Sequence, residues 1–186
     1  MSRGGIKLAA ALDRFGLSPN NLICLDIGAS TGGFTEVLLE RGAKRVYAMD
    51  VGHGQLHPKL LTSEKIVLLE GVNARDLGPE LIADPVQAIT ADVSFISLRV
   101  ALGPAVGMAE GGAWAVLLVK PQFEAGPALV PADGIVRDAV VREHALAAVR
   151  DWVVTQGWTE IGAMESPITG KDGNIEYLLA VRKTGG

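Results

Sequence analysis

The sequence has little of what marks several specialised protein classes. Its 186 residues include one cysteine, Cys24, so an intrachain disulfide framework is excluded. That cysteine lies in the apolar run Leu22 to Leu25, which predicts a buried structural thiol rather than a nucleophile. Aromatic residues make up only 5% of the chain, which speaks against an all-β protein.

The chain also lacks a long hydrophobic run. Its longest strongly apolar stretch, Ala113 to Val119, is far shorter than the roughly 20 residues that a membrane-spanning helix needs. Residues 1–8 contain Arg3 and Lys7 but not the apolar core of a secretory signal peptide. The sequence therefore predicts a cytoplasmic protein that does not associate with membranes.

A third absence is an excess of positive charge. The 17 Lys and Arg residues are outnumbered by 21 Asp and Glu, which gives a formal net charge of -4. The chain as a whole therefore exerts no electrostatic attraction on a polyanion such as nucleic acid. A local basic face, or a partner domain, would still allow binding to phosphates.

The chain is rich instead in apolar residues, at 48%, and in glycine, with 23 residues, which favours an α/β domain. Its length fits one domain over residues 1–186, starting with a short helix at about 5–15. Apolar runs predict strands at 22–27, 45–49, 66–69, 86–90, 113–119, 158–164 and 175–181. Helical spacing predicts helices at 34–40, 55–61, 98–108 and 138–156. This alternation predicts a doubly wound, mostly parallel sheet with helices on both faces and an antiparallel last strand.

Polar residues are concentrated where the predicted parallel strands end. The strand bodies are almost wholly apolar, yet their ends carry Asp26-Ile27-Gly28, Asp50, Asp92 and Lys120. Ligands of open parallel sheets bind outside the carboxyl ends of the strands. We therefore expect a ligand site at this edge of the sheet.

The turn from Asp26 to Phe34 indicates what kind of ligand binds there. Its glycines let the backbone come close to a ligand, and the helix that follows begins with unpaired amides. Ser30 stands where the dinucleotide fingerprint requires its second glycine, so the spacing does not suit a pyrophosphate. Asp50, roughly 20 residues further on, can accept hydrogen bonds from both hydroxyls of an adenosine ribose. The pattern favours a methyltransferase cofactor over NAD, with a plain tight turn and a surface or helix-capping aspartate as the alternatives.

Two charges are unexpected in apolar surroundings. Lys120 ends an apolar strand, and Glu176 interrupts the predicted last strand. Buried charges are costly unless they are paired, so either the two belong to a site or each is exposed at a sheet end. His53 and His57 lack a third ligand and the spacing of a zinc site, and no metal is expected.

Several segments together resemble one protein family. The segment Asp26 to Thr35 resembles the cofactor loop of the RrmJ/FtsJ group of RNA ribose methyltransferases, and the chain resembles the TlyA (hemolysin A-like) family within that group. The matching segments follow one another nearly from end to end. They are 2–8, 26–35, 51–56, 91–97, 118–124, 134–138, 166–170 and 173–176.

The resemblance implies a Rossmann-like class I methyltransferase fold that binds S-adenosyl-L-methionine. The implied acceptor is a ribose 2′-hydroxyl, of cytidine, in ribosomal RNA or ribosomal subunits. The Lys-Asp-Lys-Glu tetrad of the group falls on Lys7, Asp92, Lys120 and Glu176. By analogy Lys120 is the general base, and Asp92 orients its amine. Lys7 would position the hydroxyl or a nearby phosphate, and Glu176 would complete the charge network.

The expected cofactor site joins the glycine turn to the neighbouring strand ends. It comprises Asp26, Gly28, Ala29, Ser30, Thr31, Gly32, Gly33, Phe34, Asp50, Val51, Asn73, Ala74 and Asp92.

Family members usually carry an S4-like RNA-binding domain before the catalytic domain, and the resemblance here begins at the catalytic part. Much of the RNA affinity would then lie in such a module, so the net charge of -4 does not weigh against an RNA substrate. A small-molecule methyltransferase is the main alternative, although it has no need for Lys7, Lys120 and Glu176 together. A non-catalytic RNA-binding remnant and a membrane-active hemolysin are further alternatives, and the latter would call for a long basic amphipathic helix that the sequence does not contain.

Overall fold

The chain forms a seven-stranded sheet, and the computed structural model describes residues 1–185. The strand order is β3-β2-β1-β4-β5-β7-β6, in which β1 to β5 are parallel and β7 is antiparallel to both β5 and β6. This confirms the mostly parallel sheet with an antiparallel last strand. The strands are β1 (Ile23–Ile27), β2 (Arg45–Asp50), β3 (Ile66–Glu70), β4 (Val86–Ala91), β5 (Ala109–Val119), β6 (Trp158–Glu165) and β7 (Tyr177–Lys183).

Helices connect the strands and cover the sheet. The first helix begins where the Ser2 hydroxyl accepts a hydrogen bond from the Gly5 amide at 3.0 Å, and it ends at Gly16 in the left-handed conformation. The predicted leading helix is therefore confirmed. The helices are α1 (Arg3–Phe15), α2 (Gly33–Glu40), α3 (Pro58–Leu61), α4 (Leu98–Ala101), α5 (Gly103–Met108), α6 (Pro121–Glu124) and α7 (Ala139–Thr155).

The sheet separates two apolar clusters. Leu25 and Ile27 of β1 face the cluster that includes α7, whereas Cys24 faces the cluster formed with α1 and α2. This alternation follows from the two-residue period of a strand. Burial raises the pKa of the Cys24 thiol to about 12, so the thiol stays neutral and its predicted structural character is confirmed.

Four differences from the sequence prediction bear on how the helices and strands are arranged. Strand β5 begins at Ala109 rather than 113, because a register shift between Val86 and Ala88 of β4 accommodates the glycine-containing start of β5. The helix predicted from residue 55 begins only at Pro58, whose fixed φ suits a first helical position. Helical spacing in the sequence predicts a buried stripe of Val141, Ala145, Ala148 and Trp152 on α7, whereas the fully buried residues of this helix are Ala145, Val149 and Val153.

The fourth difference concerns Glu176, which lies immediately before β7 and does not interrupt it. The prediction that it sits within the strand was wrong, because the pairing of β7 with β5 starts only at Tyr177. Glu176 is thereby placed at the same edge of the sheet as the carboxyl end of β5, where Val119 pairs with Tyr177. The residues at the carboxyl ends of the parallel strands and Glu176 therefore lie at the same edge of the sheet.

Candidate active site

A cavity of about 560 Å³ opens at this edge of the sheet. Its size lies within the roughly 300–1,000 Å³ range of small-molecule sites. The predicted site residues that line it are Lys7, Gly28, Ala29, Ser30, Thr31, Gly33, Phe34, Asp92, Lys120 and Glu176. The other predicted cofactor residues, Asp26, Gly32, Asp50, Val51, Asn73 and Ala74, lie outside this lining.

The loop between β1 and α2 forms one wall of the cavity, and Gly28 explains its shape. Gly28 has a φ of 80°, and a Cβ atom there would lie 2.1 Å from the carbonyl oxygen of Asp92. The loop can therefore approach the end of β4 this closely only without a side chain. Ser30 also has a positive φ, of 51°, which turns its amide toward β2.

Asp50 at the end of β2 receives that amide. One carboxylate oxygen accepts from the Ser30 amide at 2.7 Å, and the other accepts from the Gly52 amide at 2.9 Å. Two backbone donors thus fix the carboxylate beside the glycine loop, where each oxygen retains a free lone pair for a ribose hydroxyl.

Asn73 and Ala74 follow a segment that is hydrogen-bonded to Asp50, but they do not line the cavity. The Val72 amide donates to the Asp50 carbonyl at 3.2 Å, which brings this segment beside β2. The Asn73 side chain accepts from the Arg75 amide at 3.0 Å and begins the short 3-10 helix at Ala74–Asp76. The structure therefore gives Asn73 a capping contact, and its contact with a cofactor stays a prediction.

Asp26 lies beneath the loop and is fully buried. Its two oxygens accept hydrogen bonds from the hydroxyls of Thr35 at 2.7 Å and Thr90 at 3.0 Å, so one carboxyl joins α2 to β4. Burial raises the pKa of Asp26 to about 7, although both hydroxyl bonds act in the opposite direction. Asp26 therefore supports the loop from below rather than facing the cavity.

The first of two lysine–carboxylate pairs lies at the ends of β4 and β5. The ammonium of Lys120 lies 2.7 Å from an Asp92 carboxylate oxygen and donates to the Ser94 hydroxyl at 3.0 Å. Because β4 and β5 are parallel neighbours, the residues that follow them meet at the same edge. The Lys120 side chain is only 12% exposed, and what remains open faces the cavity.

The second pair joins the two ends of the chain. The ammonium of Lys7, on α1, lies 2.7 Å from a carboxylate oxygen of Glu176, and both side chains are buried. A buried charge is tolerated when it is paired and hydrogen-bonded, so this contact explains how two charged residues occupy apolar surroundings. The alternative that Lys120 and Glu176 are simply exposed at the sheet ends is thereby excluded.

The structure adds lining residues that the sequence reasoning did not single out. Phe95 is 90% exposed, has a φ of 64°, and its ring centroid lies 5.1 Å from that of Phe123. A large apolar side chain in the left-handed region and in solvent is unusual, which points to a functional constraint. Phe95 and Phe123 fall within the segments that carry the resemblance, but neither their exposure nor their contact can be read from sequence.

Charged and amide groups complete the rim of the cavity. Arg3 and Lys171 line it, and the Arg3 guanidinium donates to the Thr169 carbonyl at 2.5 Å. The Asn174 amide bonds to the backbone of Gly134 and Val136, at 2.9 Å each. These contacts hold the loop before α7 and the loop between β6 and β7 against the site.

The family model of FtsJ-like methyltransferases matches residues 1–183. The chain belongs to the FtsJ-like methyltransferase family. It is 47% identical over 182 residues to the 16S/23S rRNA (cytidine-2′-O)-methyltransferase TlyA of Mycobacterium tuberculosis, covering 98% of this chain and 68% of that protein. It is 46% identical over 181 residues to Hemolysin A of Brachyspira hyodysenteriae, covering 96% of this chain and 75% of that protein. The chain thus spans about two thirds to three quarters of these relatives.

Solved structures agree with the family assignment. A putative hemolysin from Lactococcus lactis superposes with a TM-score of 0.95 at 42% identity, covering 100% of this chain and 89% of that one. The N-methyltransferase NodS from Bradyrhizobium japonicum, at 21% identity and a TM-score of 0.64, covers 94% of this chain and 93% of that one and shares the fold alone. The class I methyltransferase fold is therefore confirmed.

Membership of the family makes this chain a methyltransferase that uses S-adenosylmethionine as methyl donor. The observed site fits that donor, because the close approach at Gly28 leaves a backbone-lined wall and Asp50 offers a fixed carboxylate beside it. The name hemolysin also occurs among the relatives. Within residues 1–185, no helix has the length and apolar character required to cross a membrane.

Replacing Gly28 by Ala tests the role of the close approach. The new Cβ would overlap the Asp92 carbonyl, and the positive φ adds strain of roughly 1–2 kcal/mol, so we expect S-adenosylmethionine binding to weaken by about tenfold or more. Titration calorimetry measures this directly. Gly157→Ala is the matched control, since Gly157 has a φ of 84° but nothing within 4 Å of a new Cβ. Equal affinities in the two variants would contradict the assignment of the loop.

Asp26→Asn tests the raised pKa of Asp26. The pKa lies above the ordinary value of 3.8, so the folded protein binds the proton more tightly than the unfolded chain does. The stability contributed by the protonated carboxyl is complete below pH 4 and is lost as the pH rises toward about 7. Urea unfolding at several pH values should therefore show the wild type losing stability relative to Asp26→Asn over this range. A difference that stays constant or moves in the other direction would show that Asp26 is ionised throughout.

Proposed function

We propose that this chain transfers a methyl group from S-adenosylmethionine to the 2′-hydroxyl of a cytidine ribose in ribosomal RNA. The observation that carries the proposal is the convergence of two lysine–carboxylate pairs on one cavity beside the glycine loop. A site that only binds the methyl donor has no need for either pair. A hydroxyl acceptor needs them, since it is a poor nucleophile near neutral pH.

Lys120 is the general base of this mechanism. The Lys120 amine would take the proton of the 2′-hydroxyl as the ribose oxygen attacks the methyl group, and the sulfur of the donor would leave with the bonding electron pair. When bound, S-adenosylmethionine supplies an electrophilic methyl group on a sulfonium centre. Positioned proton transfer of this kind contributes roughly 10²–10⁴-fold to a rate.

Asp92 and Ser94 orient the amine of Lys120. Their oxygens lie 2.7 Å and 3.0 Å from its nitrogen, so they define the direction in which the remaining lone pair or proton points. Orientation matters because misalignment of the reacting groups forfeits much of the advantage of bringing them together.

Lys7 positions the acceptor in the same proposal. Glu176 holds its ammonium at 2.7 Å, and only one carboxylate contact is needed to fix the group, which leaves the other donor directions of the ammonium for a ribose hydroxyl or a neighbouring phosphate. Glu176 therefore acts through Lys7.

Phe95 and the rim cations favour a nucleic acid over a small molecule as acceptor. Nucleobases stack on exposed aromatic rings, with roughly 1–3 kcal/mol for each base, and Phe95 presents such a ring at the mouth of the cavity. Arg3 and Lys171, which line the same cavity, can contact phosphates, and such contacts position an RNA backbone without reading its sequence. Local cations thus compensate for the net charge of -4. The relative TlyA of Mycobacterium tuberculosis is named for cytidine-2′-O methylation of 16S and 23S rRNA.

Label transfer from S-adenosylmethionine tests the acceptor class. The purified protein is incubated with methyl-labelled donor and either ribosomal subunits or a pool of metabolites. We expect label in the RNA. Label confined to small molecules would overturn the proposal in favour of a small-molecule methyltransferase.

Two alanine variants should separate catalysis from cofactor binding. Lys120→Ala is expected to lower the transfer rate by roughly 10²–10⁴-fold and to leave donor affinity unchanged, because the base is lost and the glycine loop is intact. Asp50→Ala is expected to weaken donor binding first, because its carboxylate organises the loop and receives the ribose. Calorimetry measures affinity, and single-turnover transfer measures the rate. Loss of donor affinity in Lys120→Ala would show that the role assignment is wrong.

A further inference from the structure

Glu124 is a buried carboxylate that the mechanism above does not use. Its side chain is 2% exposed, it lies four positions after Lys120, and it is not among the residues that line the cavity. Burying a carboxylate is costly unless donors satisfy it, so its partners show what the residue holds.

All of its side-chain partners come from the segment that follows β4. The Ser97 hydroxyl donates to one oxygen at 2.6 Å, and the Leu98 amide donates to the other at 2.7 Å. The Arg99 guanidinium lies 3.5 Å from the carboxylate and donates to the Glu124 carbonyl at 3.0 Å. The Glu124 side chain, at the end of the segment 120–124 (the Lys120 segment), thus contacts three successive residues at the end of the segment 92–99 (the Asp92 segment).

The segment between β4 and α4, residues 92–97, is fixed by hydrogen bonds at both of its ends. Its first residue is tied by the Asp92 amide, which donates to the Ile27 carbonyl at 3.0 Å, and its far end is tied by Glu124. Between these ties lie Ser94 and Phe95, and Phe95 is 90% exposed in a strained conformation. Val93 and Ile96 pack only partly against the core, and the bonds from Glu124 fix the far end of the stretch.

We infer that Glu124 is a positioning residue, which holds the Asp92 segment against the Lys120 segment so that Asp92 and Ser94 meet the amine of Lys120. The inference rests on the proposed function for its effect on catalysis. Its effect on the segment itself does not depend on any substrate. Burial raises the pKa of Glu124, and the contacts with Ser97, Leu98 and Arg99 act in the opposite direction.

Glu124→Gln removes the charge and one acceptor while keeping the shape. We expect the amides of residues 92–98 to exchange hydrogen about tenfold faster or more, which corresponds to the loss of about 1.4 kcal/mol of local protection. We also expect the maximal transfer rate to fall by about tenfold or more, with affinity for S-adenosylmethionine unchanged. Hydrogen exchange read by mass spectrometry, calorimetry and single-turnover transfer measure these quantities.

Ser97→Ala provides a milder variant that removes one bond from the opposite segment. If the two residues act as one tie, the effect of the double variant on the rate should be smaller than the product of the two single effects. Val153→Ala is the stability control, because it opens space in the core beneath α7 away from the cavity. It should lower the unfolding free energy without faster exchange at 92–98 or a lower rate.

The outcomes separate the inference from the proposed function. Unchanged exchange at 92–98 in both Glu124→Gln and Ser97→Ala would overturn the positioning role, as would a loss of rate no greater than that of Val153→Ala. A loss of donor affinity in step with the rate would also overturn it, since the defect would then be general. Absence of transfer to RNA by the wild type would contradict the proposed function and leave the exchange result standing.

Discussion

The ion pair between Lys7 and Glu176 is the contact on which the rest of the site depends. Both side chains are buried, where an unpaired charge is strongly unfavourable, so the pair favours contact between α1 and the segment before β7. With α1 in place, its first residues reach the glycine loop: a Cβ at Gly33 would lie 2.5 Å from the Ser2 hydroxyl. Residues near the beginning and the end of the chain therefore line the cavity together with the residues at the ends of the parallel strands.

The parallel sheet positions the remaining groups of the site. Strands β1, β4 and β5 are adjacent and point the same way, so the glycine loop, Asp92 and Lys120 emerge side by side. The Gly28 backbone approaches the Asp92 carbonyl closely, so the glycine loop lies directly beside the end of β4. In the proposed mechanism this edge of the sheet would hold donor and acceptor side by side, as an in-line transfer requires.

Much of this could be predicted from the sequence, because it follows from strand periodicity and from which residues end the strands. The strand-end residues Asp92 and Lys120 meet as expected, and the fold class is confirmed. Features that depend on loop conformation could not be predicted. The exposure of Phe95 arises from a left-handed backbone, and the bonds of Glu124 arise from the contact between the end of α6 and the start of α4. The place of Glu176 before β7 depends on where pairing with β5 begins, which apolar composition does not reveal.

The central claim is that the two lysine–carboxylate pairs direct methyl transfer to a ribose oxygen rather than to a base. A methyl group on the 2′-oxygen blocks attack of that oxygen on the adjacent phosphodiester, so alkali cannot cleave the RNA there. Alkaline hydrolysis of ribosomal RNA labelled by the wild-type enzyme therefore tests the claim most directly. The account predicts that the label appears in alkali-resistant dinucleotides. Label in mononucleotides would show methylation of a base and would contradict it.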